Sequence, residues 1–184
     1  MNALIQPAHY EDLLRLPEHV TGEIIAGQLH TQPRPTARHS RIETGIAREV
    51  SGPFDRGGSG PGGWLILVEP ELHLSGQVLV PDLAGWRRER LPVTPDGAVE
   101  VVPDWICEIL SPATAIKDRK LKLPLYAQLG VSHAWIVEPQ SKTIEIYRRD
   151  GAHWLLLGTH ADQDEMRAEP FDAVAIGLSS FWDW

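Results

Sequence analysis

The sequence has few of the features that mark secreted, membrane-spanning or strongly nucleic-acid-binding proteins. Its single cysteine, Cys107, excludes an internal disulfide and is typical of a reducing compartment. That cysteine stands in an apolar segment without a basic neighbour, so we expect a small core residue. No apolar run approaches the roughly twenty residues that span a bilayer. Asp and Glu (25) outnumber Lys and Arg (17), and the net charge of −8 opposes binding to phosphates.

Several common motifs are missing as well. There is no glycine-rich loop ending in Gly-Lys-Ser/Thr, which argues against ATP hydrolysis. The eight histidines show neither HxH nor HExxH spacing, which argues against a zinc site. Residues 1–7 lack a basic region followed by an apolar stretch, so we expect no signal peptide and a cytoplasmic protein.

Positive charge is nevertheless concentrated locally. Most basic clusters are solvated surfaces. The cluster at 117–122, however, follows the predicted strand that contains Glu108 and could offset the acidic net charge at that place. The four basic segments are 34–41, 87–90, 117–122 and 148–149.

The hydrophobic pattern predicts one domain over residues 1–184, of mixed α/β (α+β) class, with a mixed central sheet flanked by helices. Gly130 is the expected stop of its last long helix. The predicted elements are helices at 9–16, 38–50 and 114–129, a hairpin at 22–30, a second pair of strand runs within 71–80 around the turn at 75–76, strands at 64–68, 105–110, 132–137, 143–148 and 153–158, a mobile Gly/Pro-rich loop at 51–63, a polar connection at 87–99 and an apolar tail at 173–184.

Two carboxylates stand at informative positions. Asp82 follows Pro81 at the end of an alternating run, where a plain turn is the simpler interpretation. Glu108 interrupts the apolar strand around Cys107, and an isolated buried carboxylate is costly. Its structural alternative is a buried ion pair with a nearby arginine.

Lys122 follows on the predicted helix and has its own structural alternative. Asp118 stands four residues earlier, at the spacing of a helical ion pair. Pro124 removes one backbone hydrogen bond, so the helix either kinks beside Lys122 or starts again at Pro124.

Taken together, Asp82, Glu108 and Lys122 form a sensible reaction centre. Two carboxylates bind a hard cation through oxygen, and Mg²⁺ or Mn²⁺ leaves positions for water and phosphate. Such a metal activates water, and a lysine can stabilise the transition state. The pattern indicates a metal-dependent phosphodiesterase.

Four segments carry a family resemblance. The chain resembles the Uma-type restriction endonucleases, a branch of the PD-(D/E)XK nuclease superfamily, over roughly residues 10 to 180. The matching segments are 22–29, 80–86, 107–114 and 118–126, the last continuing to 130–131 and 135–137.

The resemblance implies a restriction-endonuclease-like fold and a set of site residues. It makes Asp82 and Glu108 the metal-binding acids and Lys122 the catalytic lysine. The superfamily's lysine two residues after the glutamate is replaced here by Leu110, and Uma-type proteins resemble one another in carrying it on the next helix. Lys120 is the fallback.

Three further residues match family positions. Glu23 matches an acid in the first hairpin and is a candidate catalytic residue, as an additional metal or water ligand, or else an exposed strand residue. Glu71 matches a position that is often acidic. His39 precedes a helix where the family often has a histidine, for phosphate contact, proton transfer or a structural role.

The expected function is therefore a Mg²⁺-dependent endonuclease acting on DNA, most simply duplex DNA, as a homodimer. Four of the seven tryptophans offer aromatic area for a subunit contact. Two alternatives stay open: a nuclease-fold protein that binds nucleic acid or a protein without cutting, and a hydrolase of another phosphoester. The four tryptophans considered for the subunit contact are Trp135, Trp154, Trp182 and Trp184.

Overall fold

The computed structural model describes residues 7–182, and Trp184 lies outside them. In chain order its helices and strands are α1 (Tyr10–Leu14), β1 (Val20–Ile25), β2 (Gln28–Pro33), α2 (Ala37–Val50), β3 (Trp64–Val68), β4 (Leu72–Leu74), β5 (Gln77–Leu79), β6 (Leu83–Arg87), β7 (Trp105–Ile109), α3 (Ala115–Lys117), α4 (Leu123–Leu129), β8 (His133–Glu138), β9 (Thr143–Asp150), β10 (His153–Ala161), β11 (Glu165–Met166) and β12 (Ile176–Gly177). A 3₁₀-helix at Leu178–Phe181 follows them.

The strands form a six-stranded sheet in the order β10-β9-β8-β7-β6-β3, a four-stranded sheet in the order β2-β1-β5-β4, and the pair β11-β12. In the six-stranded sheet β7 and β8 are parallel, and the other neighbours are antiparallel. The prediction of a mixed sheet flanked by helices is confirmed.

Two hydrophobic cores cover the two faces of the six-stranded sheet. Side chains alternate along β7, so Cys107 and Ile109 enter one core while Ile106 enters the other. The first core includes the buried face of α2 and a group of aromatic rings with centroids 4.7 to 5.6 Å apart. The second contains Leu123 and Tyr126 of α4. Glu108, between Cys107 and Ile109, therefore faces the α4 side. The aromatic rings of the first core are those of Phe54, Trp64, Trp105, Trp135 and Phe171.

The helix after β7 contains a widened turn. Residues Asp118–Lys122 are π-helical, and the Leu123 N–H donates to the Asp118 carbonyl, five residues back. Helical structure continues directly into α4, so the alternative of a new start at Pro124 is wrong. Gly130 ends the helix with φ of 98°, in the left-handed region that suits glycine, as the sequence predicts.

Three expectations from the sequence are corrected. Strand β6 (Leu83–Arg87) was not predicted, and Asp82 stands directly before it instead of ending the preceding strand. The predicted loop at 51–63 begins as a π-helical turn, Ser51–Asp55, that continues α2 and buries Phe54 at 1% exposure.

The third correction concerns the tryptophans proposed for a subunit contact. Trp135 and Trp182 are buried, and Trp154 is half-buried and donates from its indole N–H to the Leu123 carbonyl at 2.6 Å. These rings contribute to the interior. The expectation that Cys107 is a core residue is confirmed, because it is fully buried. In the described part of the chain no helix is both long and apolar enough to cross a membrane.

Candidate active site

The pairing of β6 with β7 brings the two predicted acids together. Leu83 pairs with Cys107 in an antiparallel register. Continued by one residue, that register sets Asp82 opposite Glu108. Directly opposed residues have Cβ atoms about 5 Å apart on one face of a sheet. The acids, distant in sequence, are thus neighbours at the end of this strand pair.

Asp82 is held from two sides. Its Oδ2 accepts a hydrogen bond from the Ile109 backbone N–H at 2.5 Å, and its Oδ1 lies 3.3 Å from His39 Nε2. The Asp82 side chain remains 14% exposed. The plain-turn interpretation, in which Asp82 caps its own backbone, does not describe these contacts.

Glu108 is almost completely buried and uses one oxygen for two partners. Lys122 Nζ lies 2.7 Å from Oε1, and the Tyr126 hydroxyl donates to the same Oε1 at 2.7 Å. Burial is the main reason that the pKa of Glu108 is raised above its ordinary value; Lys122 opposes the shift, whereas Asp118 and Asp82 add to it. The expected arginine partner is replaced by a lysine.

Lys122 lies at the centre of a buried network. Its ammonium contacts Glu108 Oε1, Glu23 Oε1 at 2.8 Å and the Val80 carbonyl at 3.0 Å, and its side chain is 1% exposed. Burial alone would lower the pKa of Lys122, but the attraction of Glu108 and Glu23 raises it well above its ordinary value. Asp118, the partner expected from helical spacing, makes no ion pair with Lys122.

Glu23 lies behind this lysine and not at the surface of its strand. Oε1 accepts from the Val80 N–H at 2.9 Å as well as from Lys122, and Oε2 binds Lys117 Nζ at 2.5 Å. Burial opposes ionisation of Glu23, but the two lysines outweigh it and lower the pKa to about 2. Both oxygens of Glu23 are therefore occupied by protein donors, and the exposed-strand interpretation is wrong.

His39 joins α2 to the acids. Its Nε2 lies 3.1 Å from the Ile109 carbonyl and 3.3 Å from Asp82, while its buried Nδ1 has no hydrogen-bond partner among residues 7–182. Burial disfavours the charged ring, but the hydrogen bond and attraction of Asp82 raise the pKa of His39 to about 8. One turn later, Glu43 is buried, and its Oε1 has no hydrogen-bond partner within the described part of the chain. Burial, together with Asp82 and Glu69, raises the pKa of Glu43 to about 7.

A cavity of about 220 Å³ opens onto this group. One wall is the β2–α2 connection at 32–36, and the other is the turn at 111–114 that follows β7. Asp82, Glu108 and Lys122 all line the cavity, as do His39 and Asp118. The three residues predicted as the reaction centre thus line the same cavity.

Other sequence candidates lie elsewhere. Glu71 bonds the Tyr10 hydroxyl and His73 Nε2, both at 2.8 Å, and does not line the cavity. Lys120 is exposed and does not line it either. Sequence reasoning missed Lys117 and Tyr126. Tyr126 had a signal, because it follows Lys122 by four residues and so shares its helix face.

The donor set fits an open site for a hard cation. Asp82 and Glu108 supply carboxylate oxygens, and Glu108 Oε2 has no hydrogen-bond or ion-pair partner among residues 7–182. Across those same residues no group of three or more His, Cys, Asp or Glu side chains could hold a metal ion. Mg²⁺ needs no such cage, because it keeps several waters and binds through one or two carboxylates.

A family model described as "Uma2: Putative restriction endonuclease" matches residues 8–179. The chain belongs to this family. The resemblance read from the sequence is thereby confirmed, and membership of the Uma2 family supports a nuclease.

A solved structure is similar along nearly its whole length. It is the crystal structure of a putative nuclease belonging to DUF820 from Anabaena variabilis ATCC 29413, with a TM-score of 0.70 and 20% identity. The match covers 96% of this chain and 98% of that one. At this identity the likeness shows the fold, which agrees with the predicted nuclease-like class. No curated protein matches the chain.

Proposed function

We propose that this Uma2-family protein is a Mg²⁺-dependent endonuclease that hydrolyses phosphodiester bonds in DNA. One observation carries the proposal: Asp82, Glu108 and Lys122 line one cavity, with Lys122 bonded to Glu108. Family membership supports the nuclease class.

Asp82 and Glu108 are the residues that would hold Mg²⁺ or Mn²⁺. Such a cation, when bound, supplies a water of lowered pKa and neutralises charge on the phosphate oxygens. Asp82 is kept in place by the Ile109 N–H and by His39. Ligands that are fixed in this way need no reorganisation when the cation arrives.

Lys122 is the proposed catalytic lysine on the helix after the glutamate. Its raised pKa keeps the ammonium charged at neutral pH. Its three N–H donors already bind Glu108, Glu23 and the Val80 carbonyl, so its proposed role is electrostatic: the charge stabilises negative charge that develops at the phosphate. Glu23, proposed from the sequence as catalytic, is better assigned as a positioning residue. It bonds Lys122 and the neighbouring Val80 N–H, and it has no free oxygen for a metal.

The proposed substrate is duplex DNA, cut by a homodimer with one site per subunit. The tryptophans do not supply the contact, because those described are buried or half-buried. The sheet edge at β10 instead exposes three consecutive leucines, at 38% to 50%. Sedimentation equilibrium of the wild type and of Leu156→Lys tests the dimer, which the lysine should weaken.

The decisive test is cleavage of supercoiled plasmid DNA in Mg²⁺, in Mn²⁺ and with a chelator. Wild type should nick or linearise the plasmid only with a metal. Asp82→Asn, Glu108→Gln and Lys122→Met should each lose at least about 100-fold in rate. The control is Lys120→Met, which removes an exposed lysine from the same turn and should cut at the wild-type rate.

Calorimetry with Mn²⁺ separates metal binding from cutting. Wild type should bind, and the double variant Asp82→Ala/Glu108→Ala should not. If neither binds and no plasmid is cut, the acids are structural. The remaining candidate is then a protein of this fold that binds nucleic acid or a protein partner without cutting. Of these two partners, the net charge of −8 favours a protein.

A further inference from the structure

The two oxygens of Glu108 are used very differently. Oε1 receives both the Lys122 ammonium and the Tyr126 hydroxyl, each at 2.7 Å. Oε2 has no partner among the described residues, and Glu108 lines the cavity. A carboxylate that is held at one oxygen by two donors cannot rotate without breaking both bonds. The free oxygen is thus the one available to a ligand.

Tyr126 is built to keep this orientation. It is fully buried in the core on the α4 side of the sheet, so its ring is fixed by packing. Its hydroxyl donates to Glu108. Lys122, in contrast, divides its ammonium between Glu108, Glu23 and the Val80 carbonyl. The tyrosine is the donor dedicated to Glu108.

We propose that Tyr126 is a positioning residue that presents Oε2 of Glu108 to the bound cation. This inference rests on the proposed function and assigns a role to a residue that makes no contact with metal or substrate. Removing the hydroxyl leaves Oε1 with Lys122 alone, and the carboxylate can then turn Oε2 towards the ammonium. Outer-shell partners of this kind typically contribute about 10- to 100-fold in metal affinity.

The test is the Kd for Mn²⁺, measured by calorimetry on wild type and Tyr126→Phe, with folding checked by near-UV circular dichroism. Tyr126→Phe should raise the Kd about 10- to 100-fold. The matched control is Tyr147→Phe, which deletes a hydroxyl that donates to Glu145 at 2.8 Å, away from the cavity lining. Its Kd should equal that of wild type.

A second comparison tests whether Tyr126 acts through Glu108. In a Glu108→Gln background, adding Tyr126→Phe should change the Kd by less than about twofold, because coupled residues are not additive. A further tenfold loss there would overturn the proposal. Should Tyr126→Phe fail to fold, Tyr126→Met replaces it, because this flexible apolar side chain adapts to the buried site and also lacks the hydroxyl. It should raise the Kd similarly.

The outcomes separate the two proposals. If wild type binds Mn²⁺ and Tyr126→Phe binds equally well, the positioning role is wrong while the metal-dependent function stands. An equal loss of Mn²⁺ affinity in Tyr147→Phe would also overturn the role of Tyr126, because the loss would then reflect a general loosening of the packing in the core. If wild type itself does not bind Mn²⁺, both proposals fail.

Discussion

Lys122 Nζ lies 2.7 Å from Glu108 Oε1, and neither side chain is more than 4% exposed. This contact joins a strand in the centre of the sheet to the helix that covers it. Charges buried this deeply are retained only when they are paired and hydrogen-bonded. The pair therefore links the stability of the fold to the integrity of the proposed site.

Replacing Lys122 by methionine should destabilise the protein. The change leaves Glu108 and Glu23 without their shared cation, and breaking a buried pair costs about 3–5 kcal/mol. Urea unfolding at neutral pH measures the loss. Lys120→Met, at an exposed position, should stay within about 0.5 kcal/mol of wild type. Equal stability of the two variants would contradict the buried network.

Glu23 should make stability depend on acid pH. Its pKa in the fold is about 2, below the ordinary 4.5, so its ionised form stabilises the fold above pH 4.5. That contribution, on the order of 3 kcal/mol, is lost as the pH falls from 4.5 towards 2. Glu23→Gln should therefore be less stable than wild type at neutral pH, and the gap should narrow below pH 4.5. A gap that is constant with pH would contradict the assignment.

Glu43 should act in the opposite direction. Its pKa of about 7 exceeds the ordinary 4.5, so its ionisation costs stability as the pH rises from 4.5 through 7. Glu43→Gln removes that cost, and its stability relative to wild type should improve over this range. Thermal melts at several pH values measure the trend. Glu49→Gln, on the same helix but half-exposed, should show no such improvement.

Phe54 tests the correction to the Gly/Pro-rich segment. If its ring is a core residue at 1% exposure, Phe54→Ala should cost about 3–5 kcal/mol. Val93→Ala, at a position 74% exposed, is the comparison and should be nearly neutral. A small effect at Phe54, matching that at Val93, would restore the expectation of a mobile loop.

The sequence singled out three residues that line one cavity, but it did not predict the contacts that these residues make. Glu108 was conspicuous because a carboxylate in an apolar strand needs a partner. The identity of that partner depended on tertiary packing, which placed Lys122 against it instead of an arginine. Helical spacing suggested Asp118 as the partner of Lys122. Spacing along one helix, however, gives no information about the strands that pack against that helix, and Glu108 and Glu23 come from such strands.

The missed strand β6 (Leu83–Arg87) shows the same limit for the fold. Its sequence contains Gly85, which weakens a strand signal. The structure explains the glycine, since a Cβ there would lie 2.8 Å from the Ile66 side chain. Without this strand, nothing in the pattern brings Asp82 opposite Glu108.

The widened turn at Asp118–Lys122 fixes the rotational phase of the helix at the lysine. Each residue of an α-helix turns the side-chain direction by about 100°, and a π-turn holds one residue more than an α-turn. Deleting one residue there, for example the exposed Leu121, should therefore convert the π-turn into an ordinary α-turn while Lys122 keeps its place next to Leu123 at the start of α4. A relative with an unbroken α-helix at this point would reach the same carboxylate with one residue fewer between its counterparts of Asp118 and Lys122.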